Sequence, residues 1–299
     1  MSHLKIDIGI ATAGRRDILS DVINFMGRMK RPANKLIICP AKPEDVDAAA
    51  LTGYGAPIEI VSGPTGLPAQ RNVIIEASDA DVIVFFDDDF LPSEDFLIEL
   101  EALMTGDPQV VVATGHVVAD GALGPGLEFA EGVDIIKGLG PNDDSTLEPT
   151  YNGYGCNMAI RMDSVRKHNI RFDEALPLYA WFEDVDFSRQ LAPYGTIVRS
   201  YRLRGVHLGT KKAGRSPGKR LGYSQVANRI YLARKKTLSW PAAIEGIAKH
   251  LAANLVRSIA PEPWADRRGR LIGNLKALSE WPSGRMSPGR ILDSDLKNS

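Results

Sequence analysis

Three consecutive carboxylates, Asp87, Asp88 and Asp89, follow the apolar run of residues 82–86. A buried strand that runs straight into them sets like charges side by side at its open end, where a cation would relieve their repulsion. Hard oxygen donors in this number suit Mg²⁺ or Mn²⁺, which keep several waters and bridge phosphate oxygens. An Asp-rich turn leading into a helix from Ser93 is the other reading of the same residues. A second acidic pair, Glu183 and Asp184, stands behind Trp181 and Phe182. An aromatic beside carboxylates offers an apolar face for a sugar ring and acceptors for its hydroxyls, and a carboxylate in so apolar a setting can take a proton. Acids drawn to a helix N-terminus by its dipole explain the pair equally well. His207, between Val206 and Leu208, reads either as a core histidine or as a metal ligand. Lys211, Lys212 and Arg215 lie in the Gly-rich stretch 209–218, which either closes over an anion or is simply solvated.

These side chains need elements to position them. Residues 5–12 read as an apolar strand ending in the loop Ala13-Gly14-Arg15-Arg16. Ile18, Leu19, Val22, Ile23 and Met26 then recur at helical spacing with Asp17 as N-cap, and residues 35–39 form a second strand before Pro40. Apolar bursts at 58–61 and 81–86 flank a helical stretch at 68–77, and 110–114 adds a further strand. Alternating strands and helices predict an α/β fold with a mainly parallel sheet covered on both faces. Ligands collect at the carboxyl ends of such strands, where Thr12, the 63–66 loop and Asp87 to Asp89 should converge. Residues 121–150, rich in Gly, Pro and Asp, predict a long loop with little regular structure. From Ser224 onward the pattern turns helical.

The composition sets outer bounds. With 299 residues, 44% apolar, 24% charged and a net charge of -1, the chain fits a soluble globular domain with an appendage, and disorder or a fibre is excluded. No stretch approaches the roughly 20 apolar residues of a membrane span, and residues 1–10 lack a signal peptide's pattern, so a cytoplasmic location is expected. Cys39 and Cys156 fit neither a disulfide framework nor a metal site and read as buried thiols. Charge is uneven: residues 73–148 hold eighteen Asp or Glu and one Lys, whereas 187–244 hold thirteen Lys or Arg and no acid. Either two solvated faces complement each other, or an acidic edge holds a cation while a basic flank attracts a polyanion.

Taken in order, these residues resemble the family 2 glycosyltransferases of GT-A fold, over residues 8–234. Residues 10–15, Ile-Ala-Thr-Ala-Gly-Arg, stand where that family has its first strand and nucleotide loop. Gln70-Arg71-Asn72 matches a helix start that approaches the nucleotide, and Phe86-Asp87-Asp88-Asp89 looks like the DxD motif. Residues 153–161 resemble the glycine-rich segment between donor and acceptor. Phe172-Asp173-Glu174 with Trp181-Phe182-Glu183-Asp184 is similar to the family's FDE and ED pair, and Val206-His207-Leu208 to its late histidine. There are departures: no Asp ends the second strand, which leaves Asp45 of the following loop to reach the base, and Ala13 replaces a frequent aromatic.

The resemblance implies a GT-A (Rossmann-like) domain over 1–236 with a C-terminal helical extension over 237–299. It implies an inverting, hexosyltransferase-type enzyme that moves a sugar from a nucleotide diphosphate sugar, UDP-linked by preference, to a saccharide or lipid-linked saccharide. Asp184 would be the general base. Thr12, Ala13, Arg15, Asp45, Arg71, Asp87, Asp88 and Lys211 would meet the donor, and Glu183, Trp181 and Gly155 the acceptor. Asp87, Asp89 and His207 would hold Mn²⁺ or Mg²⁺. A direct displacement needs one base and no carboxylate nucleophile. Polysaccharide or glycolipid assembly at the inner face of the cell membrane would follow, with no nucleic acid partner. The tail places Trp240, Ile244, Ile247, Leu251 and Leu255 near one helical face with basic flanks, suited to an anionic leaflet, while Ala248, Ala252 and Ala253 suggest packing on the domain. Two other classes are a metal-dependent nucleotidyl or phosphoryl transferase, against which the absence of a G-x-x-x-x-G-K-[ST] loop speaks, and a non-catalytic anion-binding module.

Overall fold

Alternation along each strand decides which side chains meet. In β1 (Ile6–Thr12), Ile6, Ile8 and Ile10 join one apolar cluster. In β2 (Lys35–Pro40), Leu36 and Ile38 join the same cluster while Ile37 and Cys39 join a second. β4 (Val82–Asp87) divides likewise, Val82, Val84 and Phe86 against Ile83 and Phe85. Strands buried on both faces demand helices on both. α1 (Arg16–Met26), α3 (Phe96–Gly106) and α4 (Phe129–Lys137) bring Leu19, Phe96 and Ile136 to the first cluster. α2 (Leu67–Ala77), α5 (Met162–His168) and α6 (Glu183–Leu191) bring Ile74, Val165 and Phe187 to the second.

The computed structural model describes residues 3–210 and 218–297. Within them the chain divides into two compact units, one of residues 3–65, 69–172 and 187–210, the other of 66–68, 173–186 and 218–297. The boundary expected after residue 236 falls inside the second unit.

The first unit carries the sheet. With β3 (Ile58–Ile60), β5 (Phe90–Pro92), β6 (Val110–Asp120), β7 (Leu147–Pro149), β8 (Asn157–Arg161) and β9 (Thr196–His207), its order is β3-β2-β1-β4-β8-β6-β9-β5, and β7 pairs with β9. The block β3-β2-β1-β4 is parallel, as the strand and helix alternation predicts. β8 enters antiparallel between β4 and β6, β9 runs parallel to β6, and β5 and β7 pair antiparallel with β9.

Several local expectations are corrected. Asp17 lies in the first turn of α1, whose N-cap is Arg15, and α3 starts at Phe96 behind Asp95 rather than at Ser93. The stretch 121–150 holds α4 and β7, because Phe129, Val133 and Ile136 supply an apolar stripe that outweighs the glycines around it. Cys39 and Cys156 are buried thiols, and burial pushes Cys39 up to about 11.

The second unit is helical. α7 (Gly218–Lys235), α8 (Trp240–Arg257) and α9 (Arg267–Glu280) share a core of Tyr223, Val226, Ile230, Ile247 and Ala277, followed by the short α10 (Ser294–Lys297). α7 thus begins before Ser224. Gly222 of α7 meets the backbone of Arg270, and Gly273 of α9 meets that of Lys219, so a Cβ at either position would overlap a main chain. The buried amides of Asn254, Gln225 and Asn274 bond one another at 2.8 to 3.2 Å beside this crossing. α8 buries Ala243, Gly246 and Ile247 but exposes Ile244, Ala248, Ala252 and Leu255, so of the alanines expected at a helix contact two face outward and Ala253 is half-buried. Among the described residues no helix is long and apolar enough to cross a membrane.

Candidate functional site

Strand register assembles the site of the first unit. Ala11 of β1 pairs with Asp87 of β4, Phe90 of β5 with His207 of β9, and Asp120 of β6 with the same His207. Four strand ends therefore carry Thr12, Asp87, Asp120 and His207 to one place, and the short turn from β4 to β5 adds Asp88 and Asp89.

Asp87, Asp89 and His207 each offer one ligand atom, and these lie within 4.8 Å of one another. His207 Nε2 is 3.3 Å from Asp89 Oδ1 and 3.8 Å from Asp87 Oδ2, while its Nδ1 is 2.9 Å from Asp120 Oδ1. Tyr154 donates to the other Asp120 oxygen at 3.0 Å. A histidine whose outer nitrogen is tied to a carboxylate is oriented as metal-binding histidines are. Asp89 Oδ1 is buried with no hydrogen-bond partner, an acceptor that a cation would satisfy. The donor set thus fits a hard divalent ion. Burial works against charge on His207, but its hydrogen bond to Asp120 and the charges of Asp89 and Asp87 push it up to about 10. Burial likewise opposes charge on Asp89, yet His207 and Arg15 hold it below the usual carboxylate range.

Asp88 has a different task. It accepts from Thr12 Oγ1 at 2.7 Å and from Arg15 Nη1 at 2.8 Å, and burial raises its pKa against the pull of Arg15. Arg15 also lies 3.2 Å from Asp89 and donates to the Thr210 carbonyl at 3.0 Å, and the Thr210 N–H donates to Asp89 at 2.7 Å. The loop after β1 and the end of β9 are thereby fastened to the aspartates. Ala13 sits half-buried in that loop, beside Gly14 at φ 67°.

Arg71 is only 1% exposed. Its guanidinium lies between the rings of Phe85 and Phe172, at 5.3 and 5.4 Å, donates to the Gly155 carbonyl at 2.8 Å and reaches Asp87 at 3.3 Å. That contact braces the aspartate. Gln70 bonds the carbonyls of Thr12 and Cys39, and Asn72 bonds the backbone of Phe172. Asp45 is buried and accepts from the Lys42 N–H of its own turn. Lys211 lies outside the described residues.

The segment with Trp181, Glu183 and Asp184 belongs to the second unit. Leu178, Ala180 and Phe182 take positive φ values of 61, 51 and 77°, a conformation non-glycine residues rarely adopt and that clusters at ligand sites. Glu183 and Asp184 then open α6 in its first turn. Glu183 is buried, and the Asp184 carboxylate accepts from the Val185 N–H. Asn228 of α7 donates to the Trp181 carbonyl at 2.8 Å. Lys235 clamps the segment by binding Asp173 at 2.6 Å and Asp186 at 2.7 Å, while Tyr231 holds Asp173 and Thr237 holds Asp186.

Residues 35–168 match the family model described as Glycosyl transferase family 2. Among solved structures, mannosyltransferase PcManGT from Pyrobaculum calidifontis, in complex with GDP-Man and Mn²⁺, is similar to 100% of this chain, covering 88% of its own, with 14% identity and a TM-score of 0.56. S. aureus TarS 1-349 in complex with UDP has 13% identity and a TM-score of 0.50, over 94% of this chain and 92% of its own. The matched part of this chain spans 44% of S. aureus TarS, at 14% identity, 87% coverage of this chain and a TM-score of 0.48. No curated protein matches. At 14% identity the likeness to PcManGT establishes the α/β fold with its helical C-terminal part.

Proposed function

We propose that this chain, whose residues 35–168 match the model of glycosyl transferase family 2, is an inverting glycosyltransferase acting on a nucleotide diphosphate sugar. The observation that carries this reading is the meeting of Asp87, Asp89 and His207 at the strand ends, with Asp89 Oδ1 buried and unsatisfied. A divalent ion, Mn²⁺ or Mg²⁺, held by these three would neutralise the diphosphate leaving group. Arg15 and Thr12, fixed through Asp88, present the loop after β1 to the nucleotide, and Arg71 keeps Asp87 in place. Asp184 takes the proton of the acceptor hydroxyl as it attacks, and Glu183 with Trp181 orients that acceptor. The donor is UDP-linked, with a GDP-linked sugar as the second candidate because the neighbours bind UDP and GDP-Man. The acceptor is a saccharide or lipid-linked saccharide, met in the cytoplasm at the inner face of the membrane during polysaccharide or glycolipid assembly.

A metal-dependent nucleotidyl transfer through two ions would ask for a second group of ligands. Among the described residues only the Asp87, Asp89 and His207 group assembles.

The test is nucleotide release from UDP- and GDP-sugars with Mn²⁺, Mg²⁺ or EDTA, in the parent and in Asp184→Asn. Transfer should fall by about 10²–10⁴-fold in the variant while donor binding persists. Near-native turnover in Asp184→Asn would remove Asp184 from the base role.

A further inference from the structure

The second unit buries an arginine without an acid. Three other cations of the unit are paired with acids: Lys235 with Asp173 and Asp186, Arg267 with Glu262, Arg290 with Glu280. Arg229 of α7 is 9% exposed, and burial alone pulls its pKa down to about 10, with no neighbouring acid to hold it up.

The Arg229 guanidinium is closely packed. The Phe182 ring lies over it at 4.3 Å, and Gly246 of α8 packs so closely that a Cβ there would overlap Nη1. The Arg229 Nε is buried without a hydrogen-bond partner. The nearest nitrogen, His250 Nδ1, is 3.5 Å from Arg229 Nη2 but 2.8 Å from the Gly246 carbonyl. A nitrogen that close to a carbonyl carries the proton and donates to it, so it offers Arg229 no lone pair. Burial, with the charges of Arg229, Arg270 and Arg267, lowers the His250 pKa and favours this neutral form. The Trp181 ring meets His250 edge-on at 5.9 Å, and its indole Nε1 is a second buried donor without a partner, as is Arg229 Nε.

Two unsatisfied donors, one of them charged, are costly to bury. A guanidinium stacked on an aromatic ring is set up to hold a planar pair of oxygens along its edge. Trp181 and Phe182 directly precede Glu183 and Asp184 in the chain.

We propose that Arg229, together with the indole N–H of Trp181, binds an oxyanion carried by the acceptor, either a phosphate group or a uronate carboxylate. The assignment to the acceptor rests on the reading of residues 181–184 given above. The acceptor is then an anionic glycan or glycan phosphate rather than a neutral sugar.

The full chain has four tryptophans. Replacing Trp240, Trp264 and Trp281, all exposed, by Phe leaves Trp181 as the sole emitter. Glycerol 3-phosphate, glucuronate, glycerol and glucose are titrated against its fluorescence. A saturable change with glycerol 3-phosphate identifies a phosphate acceptor and one with glucuronate a uronate acceptor, with glycerol and glucose silent. In Arg229→Gln the affinity should drop by about tenfold or more, and the melting temperature without ligand should equal or exceed the parent's, since an unpaired buried charge is gone. Gly246→Ala, which keeps the charge but displaces the guanidinium, should weaken the same response if Arg229→Gln fails to fold. No saturable response to either anion, equal response to neutral sugars, or an undiminished response in Arg229→Gln overturns the proposal. UDP binding, followed by equilibrium dialysis in the same variants, fails only if the glycosyltransferase reading itself is wrong.

Discussion

Asp89 has one oxygen held by the Thr210 N–H and the other buried opposite His207. At this scale the protonated imidazole occupies the place that a cation would take. Metal must displace that proton, so affinity should rise with pH below the His207 pKa of about 10, by about tenfold per unit. Calorimetric titration of Mn²⁺ in buffers of different ionisation enthalpy reads the released proton directly, and a pH-independent affinity would contradict it. Asp120→Asn, which loosens the outer nitrogen of His207, should weaken Mn²⁺ binding by about 10–100-fold. The aspartate triplet and His207 could be read from residue type and from their place after strands. Asp120 could not: it is a single acid after an apolar run, and only the register of β6 on β9 puts it beside His207. Arg71 is a case where the fold adds to the sequence. Its place in the helix start that resembles the family's suggests the nucleotide, and the fold adds that it lies between Phe85 and Phe172 and reaches Asp87.

Among the elements, α7 holds the chain that leads into α6. Lys235 lies between Asp173 and Asp186, the latter 0% exposed. Lys235→Met would strand a buried carboxylate, and urea unfolding should show a loss of about 3 kcal/mol. Adding Asp186→Asn should return part of it, because the uncompensated charge is removed. The parallel strands were legible because continuous apolar runs between turn residues admit few other structures. α4 was hidden by its glycine-rich surroundings, and the outward face of α8 by an assumption that alanines mark contacts. Which stripe of an amphipathic helix turns inward depends on its neighbours, and a single sequence does not contain them.

Over the whole molecule, the uneven charge is partly resolved by pairing across the sequence. Within the first unit Glu99 meets Arg202 at 3.3 Å, and Asp89 and Asp120 meet His207. The division into units was not legible, since residues 66–68 and 173–186 join the helical unit through tertiary contacts that no periodicity announces. That unit also carries an acid-sensitive lock. Glu280 accepts from Tyr223 at 2.6 Å and from Arg290 at 2.7 Å, and the Arg290 hydrogen bond, prevailing over burial, lowers its pKa from 4.5 to about 2. A carboxylate depressed by folding contributes stability above its unfolded pKa and loses it as pH falls through the folded one. Unfolding monitored between pH 4.5 and 2 should therefore steepen toward acid, and Glu280→Gln should flatten that dependence.

The crossing of α7 and α9 bears on how such a chain can vary by descent. At Gly222 and Gly273 each helix rests on the other's peptide units, so no trimming of an opposing side chain can make room for a larger residue. The rotational phase of α7 is inherited through that pair. Arg229, Tyr231 and Lys235 keep their bearings with it, while the outward residues of α8 are open to exchange.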